Sequence, residues 1–507
     1  MIKVDKLSLE TLKGRALIED LSFVLNFGDK LAIIGEEGNG KSSLLKAIYD
    51  KSLIEDYCLV NGVVANAKSI GYLEQKLSSE WDNFSVLDYF LKATPKSVED
   101  YDVFSRMHIL EKLFIEYELN LDYLENQMLI KNLSGGEKVK LQLIKLLFND
   151  YDAFFLDEPT NDLDIETLEK LESFMKSRKE PIMFISHDET LLENVANQIL
   201  HIEQLVGKSK PKWTLKKSSY SDYVNERSRE LSHQTQMAYS QKREREKRDE
   251  VLRQIKQKVE HQIKMCRRDP STGRILVKKM ANIKAQERRF ENEETIEVPD
   301  VEEAIKFVID KSIFLPSKKR VVEIDNESIS VGDRVLVKNM SLTVFGCEKI
   351  AIVGKNGVGK TTFLRFLINK LNDVSNIKVG YFSQNYADNL DYNLSPIDVI
   401  KEANRGLNAR TILGSLKFTK EEVEHKIRDL SEGQKAKILL LKLIVEKNNV
   451  LVLDEPTRNL SPLSNPVIRK MLGDFNGVII AVSHDRKFIS EVCNKTYLLT
   501  KDGLCLL

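Results

Sequence analysis

Short apolar runs alternate along this chain with segments whose apolar positions recur every three or four residues. The run Lys30-Leu31-Ala32-Ile33-Ile34 reads as a buried strand, and Ser43-Leu44-Leu45-Lys46-Ala47-Ile48 reads as a helix that follows it. Phe154-Phe155-Leu156 and Leu451-Val452-Leu453 read as buried strands, each closed by an Asp-Glu pair. Apolar strands also precede His187 and His484. From about Asn225 to Pro299 the pattern changes. Apolar residues at 252, 255, 259 and 263 follow a 3,4,4 spacing, and 276, 280, 283 and 290 continue a similar stripe. Between the two lies Asp269-Pro270-Ser271-Thr272-Gly273, which predicts a turn, since Pro lacks the amide and Gly tolerates positive φ. Two amphipathic helices folded back as an antiparallel hairpin are therefore expected. About 40 residues at ~1.5 Å each make an arm on the order of 60 Å.

The strand and helix patterns occur twice. Gly35-Glu36-Glu37-Gly38-Asn39-Gly40-Lys41-Ser42-Ser43 recurs as Gly354-Lys355-Asn356-Gly357-Val358-Gly359-Lys360-Thr361-Thr362. Leu-Ser-Gly-Gly-Glu at 133–137 recurs as Leu-Ser-Glu-Gly-Gln at 430–434. The interval from Ser134 to Asp157 is 23 residues, as is that from Ser431 to Asp454; Asp157 to His187 is 30, as is Asp454 to His484. The copies are offset by 297 at these landmarks but by 319 at the lysines, so the second copy is 22 residues shorter between lysine and signature. Two versions of one ~200-residue domain plus a connector account for the length, which at roughly 150 residues per domain suggests about three domains. The boundaries expected are 1–222, 223–300 with a tip near 265–277, and 301–507. A small arm insertion is expected within about 76–132, because Gln75 to Ser134 spans 59 residues against 47 from Gln384 to Ser431.

Strand, glycine-rich loop and helix form the setting a phosphate loop needs. Glycines let backbone N–H groups converge on phosphate oxygens, and the helix N-terminus adds positive potential. Gly35, Glu36, Gly38, Asn39, Gly40, Lys41, Ser42 and Ser43 are one set of nucleotide-binding candidates, and Gly354, Asn356, Gly357, Gly359, Lys360, Thr361 and Thr362 are the other. Each lysine would reach the β/γ-phosphates, while the Ser42 and Thr361 hydroxyls would ligate Mg²⁺. At the strand ends, Asp157 and Asp454 suit Mg²⁺, Glu158 and Glu455 suit polarising an attacking water, and His187 and His484 suit sensing the γ-phosphate.

Composition changes this picture in one respect. The 507 residues carry 77 Lys+Arg and 77 Asp+Glu, a net charge of +0 that argues against a wholesale nucleic-acid binder. The average hides a segregation: residues 221–290 hold 19 bases and 10 acids, leaving 58 and 67 elsewhere. A +9 arm on a −9 remainder is an electrostatic footprint for RNA. Candidate RNA or tip contacts are Lys264, Met265, Arg267, Arg268, Arg274, Ile275, Leu276, Lys278, Lys279 and Lys284. Cys58, Cys266, Cys347, Cys493 and Cys505 show no zinc or disulfide spacing, which fits a reducing cytoplasm. The densest apolar run, Ile438 to Val445, contains Lys442 and is far short of the ~20 residues a membrane span needs.

The signatures at 133–137 and 430–434, with Gln75 in Gly-Tyr-Leu-Glu-Gln and Gln384 in Gly-Tyr-Phe-Ser-Gln, resemble the ATP-binding-cassette superfamily. The resemblance implies an α/β fold: two tandem P-loop ATP-binding-cassette domains joined by an α-helical antiparallel coiled-coil hairpin. It also implies Mg²⁺ contacts at Gln75 and Gln384, and an ATPase with two composite sites. Lys41 and Glu158 would work with Ser431 and Gly433; Lys360 and Glu455 would work with Ser134, Gly135 and Gly136. Two cassettes on one chain with a charged helical connector are similar to the ABC-F subfamily of translation factors. That implies a cytoplasmic monomer, its cassettes paired within the chain, using ATP and Mg²⁺. Its partners would be the 70S ribosome, at the 23S rRNA of the E site, and the P-site tRNA, with no membrane. Asp-Glu-Pro-Thr-Arg-Asn-Leu-Ser-Pro-Leu-Ser at 454–464 resembles the antibiotic-resistance branch, which dislodges pleuromutilins, lincosamides and streptogramins A. A housekeeping or stress translation factor is the alternative, and a transporter ATPase subunit a remote one. Departures are also visible. Ser461 stands where the first copy has Asp164, and Glu432 replaces a signature glycine, so unequal sites are expected. No aromatic stands upstream of Phe23 or between Arg320 and Phe345, where an adenine-stacking residue is usual, so GTP use is also expected.

Overall fold

The computed structural model describes residues 1–92, 105–205, 210–265, 270–291, 315–332 and 334–507. Its first cassette has strands β1 (Ile2–Thr11), β2 (Ala16–Leu25), β3 (Lys30–Gly35), β4 (Cys58–Ala65), β5 (Ile70–Leu73), β6 (Ala153–Asp157), β7 (Ile182–Ile185), β8 (Gln198–Leu205) and β9 (Lys210–Lys216). The second has β10 (Arg320–Val331), β11 (Arg334–Phe345), β12 (Lys349–Val353), β13 (Val379–Phe382), β14 (Val450–Asp454), β15 (Val478–Val482), β16 (Lys495–Thr500) and β17 (Gly503–Leu506). The main sheets run β5-β6-β7-β3-β8-β9 and β13-β14-β15-β12-β16-β17. These are one order drawn twice: parallel throughout, with an antiparallel last strand. The central strands β3, β6, β14 and β15 are buried along their whole length, as continuous apolar runs in a parallel sheet covered on both faces must be.

Each main sheet meets a smaller antiparallel one, and here the copies differ. The first has three strands in the order β2-β1-β4, the second only the β10-β11 pair. Strand β4 lies between Lys41 and Gln75, an interval of 34 residues against 24 from Lys360 to Gln384. It therefore accounts for most of ten of the 22 residues by which the second copy is shorter. The expected arm insertion overlaps residues 93–104, outside the described residues; around them stand helices Val86–Lys92, Met107–Glu116 and Asp122–Glu125.

Helix Gly135–Phe148 starts at Ser134 and helix Glu432–Val445 at Ser431, each through a reciprocal capping box with Glu137 or Gln434. The signature motif is thus, locally, a helix-start signal. Asp164 caps helix Ile165–Ser177 by accepting from the Thr167 amide at 3.0 Å. Its counterpart Ser461 makes the same contact with a longer bond, accepting from the Ser464 amide at 3.3 Å, but the second-copy helix, Asn465–Gly473, starts later with Pro466 in its first turn.

The connector separates as its own unit, Val224–Val301. It contains most of helix Tyr220–Met265, 46 residues, and all of helix Pro270–Glu291, 22 residues. Leu252, Val259, Leu276 and Ile283 form a small buried cluster, Lys256 donates to Glu287 at 2.9 Å, and Arg248 lies 4.9 Å from the Phe290 ring. Two expectations are corrected. The second helix already begins at Pro270, so Ser271, Thr272 and Gly273 are helical and not part of a turn; proline's fixed φ and missing amide suit a first helical position. Leu276 is buried in the cluster, so it is not a presented contact, whereas Ile275 and Val277 on either side are 68% and 61% exposed. Arg267 and Arg268 lie outside the described residues, as does most of the acidic stretch 291–304. Among the described residues no helix is long and apolar enough to cross a membrane, and Cys58, Cys347, Cys493 and Cys505 are free.

Candidate nucleotide site

Each phosphate loop turns on glycines in the left-handed region: Gly38 and Gly40 in the first, Gly357 and Gly359 in the second. The Lys41 ammonium folds onto its own loop, donating to the carbonyls of Gly35 at 2.8 Å and Glu36 at 3.0 Å. Lys360 does the same with Gly354 at 2.7 Å and Lys355 at 3.2 Å. Burial pushes both lysines below their usual range while neighbouring carboxylates pull them back. Asn39, expected to touch nucleotide, donates instead to the Ile202 carbonyl at 3.1 Å and ties the loop to β8. Leu17 on β2 and Leu336 on β11 come within 3.2 Å and 3.1 Å of where a Cβ on Gly40 or Gly359 would stand. Matched leucines therefore flank both phosphate loops.

Ser42 donates to Asp157 Oδ1 at 3.0 Å and Thr361 to Asp454 Oδ2 at 2.9 Å. Asp157 Oδ2 is buried with no hydrogen-bond partner among the described residues. An orphaned carboxylate oxygen beside a hydroxyl fits a hard divalent cation such as Mg²⁺. Gln75 and Gln384 are both exposed, and Gln384 lines a cavity of about 130 Å³ with Lys360, Thr361, Glu455 and His484.

The two glutamates after these aspartates differ sharply. Both take positive φ, 50° at Glu158 and 52° at Glu455, a conformation costing of order 1–3 kcal/mol that clusters at functional sites. Glu158 is held on both oxygens, by His187 Nε2 at 2.9 Å and Asn161 at 2.7 Å. Burial pushes its carboxyl up, but His187, Lys41 and Asn161 outweigh it and hold it at about 2. Among the described residues Glu455 has only the His484 amide at 3.3 Å, with the ring Nε2 3.7 Å away and both ring nitrogens unpartnered. Burial and the neighbouring Asp454 push Glu455 up to about 7 against the pull of Lys360, and burial lowers His484 to about 3. Asp157 is pushed up to about 6 by burial and by Glu158.

Across the chain, each phosphate loop meets the other copy's signature. The Gly433 amide donates to Glu37 at 2.6 Å, and a Cβ on Gly136 would stand 2.9 Å from the Asn356 amide nitrogen. Glu37 and Asn356 are counterparts, as are Gly136 and Gly433. Arg458, the counterpart of Asn161, reaches Asp162 at 2.8 Å, and Asn356 donates to the Asp162 carbonyl at 2.5 Å. Glu37, Asn161, Asp162 and Arg458 were not singled out from sequence; aligning the copies position by position would have exposed them, because each differs from its counterpart.

The sequence matches the family described as ABC transporter over residues 18–161 and 337–458. It is 26% identical over 548 residues to ABC transporter F family member 5 of Arabidopsis thaliana, covering 97% of this chain and 74% of that protein. It is 27% identical over 516 residues to Ribosome protection protein VmlR of Bacillus subtilis, covering 97% and 85%. Among solved structures, an archaeal ribosome recycling factor aABCE1, in complex with ribosomal stalk protein aP1, is similar in fold, with TM-score 0.60, 15% identity, and 96% and 86% coverage. With the family matched in both halves around two complete sets of phosphate-site residues, the chain belongs to the ATP-binding-cassette family and is an ATPase with two tandem ATP-binding domains.

Proposed function

We propose that this chain is an ABC-F ATPase that enters the ribosomal E site and works through its connector. The observation that carries this reading is the pairing, within one chain, of both phosphate loops with both signatures, together with an inserted helical unit that holds the basic excess. The names of its relatives, an F family member, a ribosome protection protein and a ribosome recycling factor, support the same direction. In this reading Lys41 and Lys360 exchange loop carbonyls for ATP phosphates, and the signature amides complete each site from the opposite cassette. Bound Mg²⁺ would neutralise phosphate charge beside Ser42 and Asp157, and beside Thr361 and Asp454. Glu158 and Glu455 orient water, with His187 and His484 alongside. The cassettes close on ATP and favour E-site binding; hydrolysis reopens them.

The connector, folded as a coiled-coil hairpin, would reach the P-site tRNA and the peptidyl-transferase centre, contacting RNA through Lys278, Lys279 and Lys284 near its tip. Ile275 and Val277 supply exposed apolar surface there. Two tyrosines at the start of its first helix belong to the cassette unit and bind within it. Tyr223 shares a hydrogen bond with His201 at 2.7 Å, and Tyr220 donates to the Pro462 carbonyl at 3.2 Å. Pro462 follows Ser461, in the stretch similar to the antibiotic-resistance branch, so protection against pleuromutilins, lincosamides and streptogramins A is the function proposed. Drug susceptibility of cells with and without the gene tests it. Raised resistance to these classes supports protection; unchanged susceptibility with ribosome binding intact would turn the reading to a general translation factor.

A further inference from the structure

The repeat offset of 297 pairs Glu172 with Arg469 and Glu189 with Arg486 as counterparts. In the structure these four residues meet across the cassettes. Arg469 grips Glu189 with two nitrogens, one of them 3.2 Å from Oε2, and Arg486 donates to Glu172. The two ion pairs are one contact made twice, related by the repeat. In both, the first cassette supplies the acid and the second the base. The sorting extends outward, with Lys487 donating to Glu189 at 3.4 Å and to Glu193 at 2.5 Å. Glu172, Glu189 and Arg469 are buried. Their helices adjoin the histidine loops: Glu189–Val195 and Arg486–Val492 are capped by Asp188 and Asp485, directly after His187 and His484.

We propose that these residues form a charge-segregated latch, a surface that accepts only the opposite cassette as its partner and holds the two histidine loops in register. Two first cassettes pairing the same way would set Glu172 against Glu189 twice; two second cassettes would set Arg469 against Arg486 twice. Arg469 would keep Glu491 of its own cassette, to which it donates at 2.7 Å, but the other buried charges would face only like charges, which is strongly destabilising, so both like-with-like pairings are disfavoured. None of the four residues belongs to a phosphate loop or signature, so the latch stays joined while the phosphate loops and signatures close on ATP and reopen. A family of homologous domains that could pair promiscuously, within a chain or between chains, is thereby restricted to one arrangement.

The test uses the full-length chain in three forms: Glu172→Arg/Glu189→Arg, Arg469→Glu/Arg486→Glu, and all four changes together. The latch predicts that each double variant loses ATPase activity by about tenfold or more and expands in small-angle scattering without nucleotide, as unlike charges become like. The fourfold variant should recover compactness and come within about threefold of the original rate. Double variants that stay compact and active would overturn the proposal, as would a folded fourfold variant no better than the doubles. Where the reversed chains do not fold, Glu172→Gln and Arg486→Gln, singly and together, decide it. Non-additive losses in thermal midpoint support the latch, and additive losses refute it.

Discussion

The two composite sites are built from the same parts, yet they shift their key carboxylates in opposite directions. Glu158 is fixed by His187 and Asn161 and stays ionised far below neutrality, whereas Glu455 is pushed up to about 7. The difference begins at the histidines, since His187 bonds Glu158 at 2.9 Å whereas His484 Nε2 stands 3.7 Å from Glu455, and a smaller part follows one exchange between counterparts. Asn161 is short and turns back to its glutamate; Arg458 is long and reaches Asp162 across the cassettes, leaving Glu455 only the pull of its charge. One hydrogen bond kept or lost by a histidine thus changes the protonation of the glutamate beside it. The opposing loops differ as well: Glu37 already engages the Gly433 amide, while Asn356 carries no charge to put there.

Removing both bases should have the largest effect. Glu158→Gln/Glu455→Gln should lower ATP turnover by ~10²-fold or more, the usual worth of a positioned general base. The single variants break the comparison if they retain equal rates; unequal residual turnover sharpens it. Exchanging the flanking residues should have the next largest effect. Arg458→Asn removes a positive charge that pulls Glu455 down, so second-site turnover at pH 6 should fall, by up to about tenfold, as one unit of pKa does when the base must be ionised. Asn161→Arg should change first-site turnover at pH 6 less, because Glu158 keeps His187 and Lys41 and stays ionised. Glu37→Gln weakens a charged hydrogen bond that ATP must displace, so KM for ATP at the first site should fall about fivefold, read with Glu455→Gln as background. The smallest effect on hydrolysis is expected at Tyr220. Tyr220→Phe removes one hydrogen bond to Pro462 and should leave ATPase activity within about twofold, while weakening protection in cells.

The repeat made much of this molecule legible from sequence. Fixed spacings from Ser134 to Asp157 and from Asp157 to His187 required the same strand-and-helix frame in both copies, and the two sheets share one strand order. The parallel strands were readable because burial on both faces leaves no polar alternation. Strand β4 was hidden in a difference of interval, since its mixed burial gives no apolar run. The turn in the connector was misplaced because Pro270 looks alike as a breaker and as a first helical residue. Roles within motifs could be assigned from chemistry, but Asn161, Arg458 and Glu37 act through contacts that only the folded chain creates. Leu276 shows the same limit on the connector, because a stripe of apolar positions does not say which member turns inward.

The inequality of the sites is tested most directly by the pH dependence of ATP turnover in the two single variants. Glu158→Gln leaves the second site working. Its base, Glu455, must be ionised to act, so the rate should be full above its pKa and fall as pH drops through about 7. Glu455→Gln leaves the first site, whose base stays ionised down to about 2, so its rate should show no such fall between roughly pH 6 and 8. Superimposable profiles would contradict the account.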